Sequence, residues 1–324
     1  MSGLFLGIDT SNYTTSAAVY GSGVEINGKK LLSVKAGEIG LRQSDAVFQH
    51  VRQLTEVYGK TIDELNSLGY TCSDVSAVGV SYAPRAVEGS YMPCFLVGRM
   101  LGECLAKTLN VPLYLFSHQQ GHIAAALYSC RREDLLGGNF LAFHLSGGTT
   151  EGLYVTPDEN GLPDAEIVAS SLDLKAGQAV DRIGVMLGFP FPCGRYLDEL
   201  SRKSRVSFRI KPSMKGADFS LSGVQNKCEQ MLASGSARED IAKFCLEYIA
   251  ASLDFSLSAL LEKYGDIPVL FSGGVSSNSL LRERLGKKYG ALFAQPAFSC
   301  DNAFGTAYLA SVRYGQDKSG KADL

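Results

Sequence analysis

The chain has 324 residues, of which 45% are hydrophobic and 20% are charged, and its formal net charge is -2 at pH 7. This length is typical of two domains, and this composition is typical of a folded globular protein, which excludes an intrinsically disordered chain. The small net charge excludes a general electrostatic attraction to nucleic acid or to a membrane surface, so any polyanion would have to bind a local patch.

The first residues lack the features of a secretory signal. Residues 1–9 (MSGLFLGID) have no basic start and reach an acid after a short apolar run. No apolar run in the sequence approaches the roughly 18 residues of a membrane span. The eight cysteines form no C-x-x-C pair and are expected to be buried, reduced thiols. Together these features predict a cytoplasmic protein.

Short apolar runs that end in glycine or aspartate alternate with longer segments of helical periodicity. The apolar runs predict strands over Leu4–Asp9, Val75–Tyr82, Val111–Leu115, Phe140–Leu145 and Val269–Phe271. The periodic segments predict helices over Val47–Tyr58, Phe95–Leu109, Gly177–Leu187, Arg238–Tyr264 and Ser277–Leu285. This alternation predicts an α/β protein with parallel or mixed sheets that are covered by helices.

A short internal repeat relates the two halves of the chain. Residues 5–16 (FLGIDTSNYTTS) can be laid over residues 140–151 (FLAFHLSGGTTE), and each copy predicts a strand, a turn and a return strand. We therefore predict two duplicated domains over residues 1–137 and 138–324, with the last helix returning toward the first domain. The hairpins of the two domains are expected to face one cleft.

Three turns at strand ends are suited to a phosphate or a ribose. They are residues 9–15 (DTSNYTT, with Thr10, Ser11 and Asn12), 146–150 (SGGTT) and 271–278 (FSGGVSSN). Paired glycines let the backbone approach an anion, and a helix N-terminus adds a favourable dipole. Each turn alone could be a tight structural turn, but the three together favour a nucleotide. None of them matches the P-loop or the dinucleotide-binding motif.

A pair of histidines predicts a metal site. His118 and His122 are four residues apart, so they lie on one face of a helix and can reach the same ion. Asp301 is a candidate third ligand, although its position also fits a helix N-cap. Gln119 stands where a metallopeptidase of the H-E-x-x-H class needs its glutamate base, which disfavours peptide hydrolysis.

These segments together resemble the TsaD-type tRNA threonylcarbamoyladenosine synthase family, formerly called glycoprotease or peptidase M22, from Gly7 to about Ala310. The histidine pair resembles the family's H-x-x-x-H motif, and Asp301-Asn302 resembles its D-N. The remaining similarities are residues 146–150 (SGGTT) to S-G-G-H-T, 177–181 (GQAVD) to G-E-A-F-D, 187–194 (LGFPFPCG) to L-G-x-x-Y-P-G-G, 218–223 (DFSLSG) to D-F-S-F-S-G and 273–278 (GGVSSN) to G-G-V-x-x-N.

The resemblance implies a duplicated actin/hexokinase-like (ribonuclease H-like) fold with an interdomain nucleotide cleft. It implies metal-dependent transfer of a threonylcarbamoyl group from its adenylate to an adenosine of tRNA. One Fe or Zn ion would bind His118, His122 and Asp301. By the resemblance, ATP or an acyl-adenylate would bind Asp181, Gly194 and Asn278. The glycine turns add further candidate residues for the same nucleotide: Ser146, Gly147, Gly148, Thr149, Gly273 and Gly274. Implied partners are tRNA, an actin-like paralogue subunit and a small ATPase; no catalytic side chain is assigned.

Several positions depart from the family pattern. The first hairpin reads TSNYTT instead of T-S-C-D-E-T, so that Tyr13 and Thr14 replace two acids. Gln178 replaces the glutamate of G-E-A-F-D, and Thr149 replaces the histidine of S-G-G-H-T. The G-P-G-L loop becomes residues 83–93 (APRAVEGSYMP). These changes keep two alternatives open: a carbamoyltransferase with another acceptor, and a non-catalytic nucleotide-binding subunit.

One segment concentrates positive charge. Its cations are Arg202, Lys203, Arg205, Arg209, Lys211 and Lys215, with no acid between them. The segment could dock the phosphates of tRNA. A solvated loop is an equally good interpretation. Because Val206, Phe208 and Ile210 alternate with charged residues, the segment could also be a strand with a solvated face.

Overall fold

The computed structural model describes residues 3–11, 13–34 and 41–319, and these form two compact units. Unit 1 comprises the described residues up to Gly137, together with Pro157–Asp164 and the residues from Cys300 onward. Unit 2 comprises Gly138–Thr156 and Ala165–Ser299.

Unit 1 is built on a five-stranded sheet. Its strands are β1 (Leu4–Ser11), β2 (Thr14–Gly21), β3 (Val24–Leu31), β4 (Val75–Ala83) and β5 (Leu113–Ser117). They lie in the order β3-β2-β1-β4-β5, with β2 antiparallel to β1 and β3, and with β4 parallel to β1 and β5. The helices of this unit are α1 (Gln43–Ser67), α2 (Phe95–Leu109), α3 (His118–Ser129) and, late in the chain, α9 (Phe304–Ser319).

The central strand of unit 1 is buried along its whole length. Helices cover both faces of the sheet, so β1 has no wet side and reads as a continuous apolar run rather than an alternating one. Leu4, Leu6 and Ile8 lie in the main core with residues of α1 and α2. The run ends in Asp9, Thr10 and Ser11, which places buried polar groups at the carboxyl end of the strand.

Unit 2 repeats this sheet. Its strands are β6 (Phe140–Leu145), β7 (Thr150–Pro157), β8 (Pro163–Ser170), β11 (Val269–Ser272) and β12 (Leu292–Phe293), in the order β12-β11-β6-β7-β8. A separate hairpin is formed by β9 (Ser213–Lys215) and β10 (Asp218–Ser220). The helices are α4 (Ala176–Met186), α5 (Gly194–Ser201), α6 (Ser222–Ala233), α7 (Arg238–Tyr264) and α8 (Ser279–Tyr289).

The two sheets share one topology, since β6 and β11 take the places of β1 and β4. Each pair is parallel, and each central strand is followed by an antiparallel return strand. The predicted α/β class and the duplication are therefore confirmed. Each predicted strand and helix is also present, and Phe95–Leu109, Phe140–Leu145 and Arg238–Tyr264 have the predicted bounds.

Helix α7 corrects the expectation that no apolar stretch approaches a membrane span. Among the described residues it alone combines sufficient length with an 18-residue window of mean hydropathy 1.5, and 61% of that window is buried inside the protein. Leu246, Leu253 and Leu257 of this helix lie in the core of unit 2. The apolar composition of α7 therefore fits a central core helix.

The eight cysteines are all free thiols, as expected. The expectation that they are buried holds for Cys94, Cys193, Cys228 and Cys245, while the other four are partly or fully exposed.

Of the two structural alternatives for the basic segment, the solvated loop is confirmed and the strand is wrong. Residues 204–212 have no regular secondary structure, and β9 begins only at Ser213. The alternation of Val206, Phe208 and Ile210 with charged residues is not accompanied by strand pairing in this stretch.

Candidate functional site

The two histidines occupy the first turn and a half of α3. The helix begins at His118 because the hydroxyl of Ser117 accepts the backbone N–H of Gln120, while the Gln120 side chain accepts the N–H of Ser117. The spacing of four residues then brings the rings of His118 and His122 together, with centroids 4.2 Å apart. Both side chains are largely buried.

Asp301 completes the cluster. Its Oδ1 lies 3.1 Å from Nε2 of His122 and 3.5 Å from Nε2 of His118, and the three ligand atoms all lie within 4.8 Å of one another. Its Oδ2 accepts the hydroxyl of Thr14 at 3.2 Å. The alternative role as a helix cap is wrong, because the first N–H of α9 is accepted by Asn302 instead.

Close packing of α9 against α3 and the sheet, at several glycines, positions Asp301 beside the histidines. A Cβ on Gly305 would lie 1.8 Å from the carbonyl oxygen of Gly121, so α9 and α3 touch backbone to backbone. On the opposite side, a Cβ on Gly7 would lie 2.3 Å from the carbonyl oxygen of Ala303, and one on Gly79 would lie 2.6 Å from that of Thr306. Larger residues would push α9 away from the sheet and from the histidine pair.

Asp9 is a site residue that the sequence analysis did not single out. It is 1% exposed, and its Oδ2 accepts Nδ1–H of His118 at 2.8 Å and the hydroxyl of Ser81 at 2.5 Å. Its Oδ1 accepts the N–H of Ser11 at 2.8 Å. The contact between Asp9 and Nδ1 of His118 orients the imidazole ring so that its Nε2 faces Asp301. The sequence did offer a signal for Asp9, because this acid stands near the end of an otherwise apolar strand.

Burial and neighbouring charges have opposite effects on the pKa values of this cluster. Burial alone would lower the pKa of His118, but the charges and hydrogen bonds of Asp9 and Asp301 raise it to about 10. Burial alone would raise the pKa of Asp301, but the two histidines hold it well below its usual value. The pKa of Asp9 is likewise lowered, because His118 outweighs the effect of burial. The cluster therefore holds two carboxylates that require positive charge between them.

The buried residues of the first hairpin make their hydrogen bonds inside unit 1. Thr10 is fully buried, and its hydroxyl donates to the carbonyl of Cys94 and accepts the N–H of Gly98. That hydroxyl is therefore engaged within unit 1, and the predicted contact of Thr10 with phosphate stays a prediction. Ser11 is also fully buried, and its hydroxyl has no partner among the described residues. Asn12 lies outside the described residues.

The turn after β6 is open to solvent. Ser146 closes it by accepting the N–H of Thr149, and Gly147 and Gly148 are exposed, with no atom within 4 Å of where a Cβ would stand. Gly177, at the start of α4, lies so close that its Cβ would stand 2.6 Å from the N of Gly147. The start of a helix and a bare glycine turn thus meet at the carboxyl end of β6.

The second glycine turn meets the same sheet edge, because β11 pairs with β6 in parallel. Gly273 has φ +89°, and a Cβ there would lie 2.3 Å from the carbonyl oxygen of Leu145, so only glycine fits. Gly274 has open space around it. Asn278 caps α8 through its Oδ1, which accepts the N–H groups of Leu280 and Leu281. Its amide oxygen is therefore already used, and Nδ2 is the polar atom left for a ligand.

Asp181 and Gly194 lie on α4 and α5. Oδ1 of Asp181 accepts the N–H of Cys193 at 2.8 Å, which ties the loop after α4 to that helix. The Cys193 side chain fills the space beside Gly184, where an added Cβ would lie 2.1 Å from the Cβ of Cys193. Gly194 is exposed at the first position of α5.

Gln178, which replaces the glutamate of the family motif, has a structural role. Its Oε1 accepts the N–H of Lys175 and so closes a capping box at the start of α4. An exposed Lys175 N–H is satisfied here by an amide, without any negative charge.

Similar solved structures define the class of this fold. The component A of (R)-2-hydroxyglutaryl-CoA dehydratase from Acidaminococcus fermentans is 18% identical, with a TM-score of 0.54 over 97% of this chain and 100% of that chain. The activator of 2-hydroxyisocaproyl-CoA dehydratase from Clostridium difficile, with bound ADPNP, is 15% identical, with a TM-score of 0.53 over 99% and 98%. HypF from T. kodakarensis is 14% identical, with a TM-score of 0.56 over 98% of this chain and 48% of that chain. The protein thus has the two-domain actin/hexokinase-like fold.

The family follows from the sequence as a whole. A model of the tRNA N6-adenosine threonylcarbamoyltransferase family, TsaD, matches residues 34–308, which is most of the chain. The chain therefore belongs to this family of transferases, and the resemblance found in its motifs is confirmed.

Proposed function

We propose that this protein transfers a threonylcarbamoyl group from its adenylate to an adenosine of tRNA, with one Fe or Zn ion held by His118, His122 and Asp301. The observation that carries the proposal is the convergence of these three side chains, two from helix α3 and one from the loop before α9, on one point of unit 1. Family membership supplies the reaction class.

The spacing of the three ligand atoms supports a transition-metal ion. With metal–ligand bonds of about 2.0–2.1 Å, neighbouring donors stand about 2.8–3.4 Å apart in octahedral or tetrahedral coordination. The Oδ1 of Asp301 lies 3.1 and 3.5 Å from the two imidazole nitrogens, which fits such a polyhedron. Two imidazoles and one carboxylate suit Fe or Zn, whereas Mg and Ca prefer oxygen donors only.

When bound, the ion would polarise the carbamoyl carbonyl and fix phosphate oxygens. The protein groups around it have separate tasks. Asp9 keeps the proton of His118 on Nδ1, so that Nε2 is available as a ligand. Thr14 holds the second oxygen of Asp301 and thereby restricts the rotation of that carboxylate.

The nucleotide is proposed to bind unit 2 at the carboxyl ends of β6 and β11. The bare N–H groups of Gly147 and Gly148 and the start of α4 suit phosphate oxygens. The carboxylate of Asp181 suits ribose hydroxyls, and the Nδ2 of Asn278 can donate to the base. The predicted interdomain cleft and the domain bounds at 137 and 138 are part of this proposal.

A cytoplasmic location is proposed with this function, because the acceptor and the adenylate belong to the cytosol. An actin-like paralogue subunit and a small ATPase are proposed as accessory partners on the strength of the family alone.

The decisive experiment incubates the purified protein with threonylcarbamoyl-adenylate and tRNA, and then measures modified adenosine by mass spectrometry of the nucleosides. We expect modification that requires stoichiometric metal and is lost in Asp301→Asn. The matched control is Asp317→Asn, the same change on an exposed acid of α9, which should retain activity. Equal activity of the two variants, or modification after complete removal of the metal, contradicts the proposal.

Transfer to an acceptor other than tRNA is the second candidate. It is favoured by the lost acids, since Thr14 now serves Asp301 and Gln178 serves as a cap. Metal and nucleotide binding with release of AMP, but without any modified nucleoside, would select this candidate. Nucleotide binding with no stoichiometric metal would instead select the non-catalytic subunit.

A further inference from the structure

The basic segment, residues 202–215 of unit 2, differs from the rest of the chain in how its charges are balanced. Arg202 is paired with Asp198 at 3.1 Å. The other cations of the segment are exposed and have no side-chain partner among the described residues: Lys203, Arg205, Arg209, Lys211 and Lys215. In the described part of the chain the remaining cations of this kind are scattered: Arg42, Lys107, Arg131 and Lys227.

The one acid near the end of the segment is turned away. Asp218 stands opposite Lys215 in the β9–β10 hairpin, but its carboxylate accepts the N–H and the hydroxyl of Ser170. Lys215 is therefore left without a counter-charge in spite of its acidic neighbour.

The backbone of the segment is anchored on α7 while its charges point to solvent. The hydroxyl of Ser204 donates to Asp240 at 2.5 Å, and the ring of Phe208 meets that of Phe244 edge-on at 5.3 Å. The N–H of Ser213 donates to the hydroxyl of Tyr248 at 3.3 Å. The anchored residues lie between the cations, so the coil has one attached side and one charged side.

The anchors also concentrate the charge. Residues 240 and 248 of α7 are about 12 Å apart along the helix axis, because a helix rises about 1.5 Å per residue. A chain of nine residues could span about 30 Å if it were extended. The stretch from Ser204 to Ser213 is therefore held along a short length of α7 instead of being fully extended, which limits the separation of its cations.

We infer that the basic segment is a docking surface for the sugar-phosphate backbone of an RNA, and that the RNA is the tRNA acceptor, which rests on the proposed function. Unpaired arginine and lysine side chains on a coil can each meet a phosphate, and such contacts position an RNA without reading its sequence. An acidic protein partner fits less well, because protein interfaces have an apolar core and Val206 is the only large apolar side chain exposed in the segment.

The test compares two triple variants of the whole protein that change the net charge equally. Arg205→Gln/Arg209→Gln/Lys211→Gln removes three of the five unpaired cations of the segment. Lys107→Gln/Arg131→Gln/Lys227→Gln removes three unpaired cations elsewhere. Unmodified tRNA is titrated by fluorescence anisotropy at several KCl concentrations, and the melting temperature of each variant is recorded to establish that it is folded.

We expect the segment variant to bind tRNA at least about 10-fold more weakly at 50–100 mM salt, while the control changes less than about 2-fold. The slope of log K against log[KCl] should become shallower by about 2 to 3, since each lost phosphate contact removes about 0.7–0.9. Equal affinities and slopes for the two variants overturn the inference. If the unchanged protein binds poly-glutamate more tightly than tRNA, and only the segment variant loses this binding, the inference is overturned in favour of an acidic protein partner.

The outcomes separate this inference from the proposed function, because tRNA binding is measured without adenylate or metal. If both variants modify tRNA as the unchanged protein does and bind it equally, the docking surface is wrong and the function stands. If the segment variant alone loses tRNA binding and no protein transfers the group, the docking surface stands and the proposed transfer is wrong.

Discussion

The ends of β1 and β6 occupy the same place in two sheets of the same topology, yet they carry different chemistry. In unit 1 the strand ends in a buried acid, Asp9, which holds His118. In unit 2 the corresponding strand ends in an exposed turn with Gly147 and Gly148. A buried acid prepares a site for a cation, whereas bare backbone N–H groups prepare a site for an anion.

A second contrast concerns how buried acids are balanced. Asp254 of unit 2 is met by Lys288 at 2.6 Å and by Arg284 at 3.2 Å, so it is fully compensated and structural. Asp9 and Asp301 of unit 1 are met by imidazoles alone. Because imidazoles are neutral when they bind a metal, the proposed ion would itself supply the positive charge that the two acids of unit 1 require.

The largest expected effect comes from the contact that joins α3 and α9. Gly305→Ala should lower the free energy of unfolding of unit 1 by about 3 kcal/mol and abolish metal binding, because the added methyl group meets backbone atoms. Nucleotide binding by unit 2 should persist. Thermal unfolding and metal titration measure both effects.

The control is Gly59→Ala in α1, where an added Cβ meets nothing within 4 Å. This change should stabilise the helix by up to about 1 kcal/mol. If the two variants unfold alike, close packing does not hold the metal residues in place.

His50 gives unit 1 a specific dependence on pH. It is fully buried, its Nδ1 contacts the hydroxyl of Thr15, and burial lowers its pKa to about 4, although the charge of Asp9 acts in the opposite direction. Below the usual pKa of about 6.5 the unfolded chain binds a proton that the folded protein refuses, so stability is lost as the pH falls from 6.5 to 4. The loss amounts to about 3 kcal/mol.

Urea unfolding at several pH values, for the unchanged protein and for His50→Gln, measures this contribution. The difference between the two proteins should be constant above pH 7 and should shift in favour of His50→Gln as the pH approaches 4. A difference that does not vary with pH would show that His50 is not buried in its neutral form.

The supporting acid of the metal site has a smaller effect. Asp9→Asn should weaken Zn binding about 10- to 100-fold, because His118 loses the partner that orients it and makes it more basic. Asp181→Asn in unit 2 should leave Zn binding unchanged and weaken nucleotide binding. Calorimetric titration of both variants with both ligands tests the division of tasks, which fails if each variant affects each ligand equally.

The smallest effect separates the two roles of Asn278. Asn278→Ala removes the cap of α8 and should cost about 1 kcal/mol of stability as well as nucleotide affinity. Asn278→Asp keeps a capping oxygen but loses the Nδ2 donor, so it should weaken nucleotide binding at nearly unchanged stability. If Asn278→Asp binds the nucleotide normally, the amide donor has no part in the site.

Much of the fold could be read from local patterns. Buried central strands such as Leu4–Ser11 appear as unbroken apolar runs, and Phe95–Leu109 has clear helical periodicity, so both are determined by residues close in sequence. The histidine pair was found for the same reason, since its spacing on one helix face is a local property. For the basic segment the local pattern left a loop and a strand open as alternatives. Residues 204–212 form a loop, because their anchoring on α7 outweighs local alternation.

The sequence by itself determined the α/β class, the duplication and the family, because each rests on periodicity, repeats or contiguous motifs. Only the tertiary structure decided that Asp301 meets the histidines instead of capping α9, that Asp9 supports His118, and that the cations of the basic segment other than Arg202 have no acid partner among the described residues. These are contacts across large sequence separations. The contact of Asp301 with the histidines depends on the backbone-to-backbone packing of Gly305 against Gly121. A local sequence pattern does not determine which residues will be brought together from distant parts of the chain.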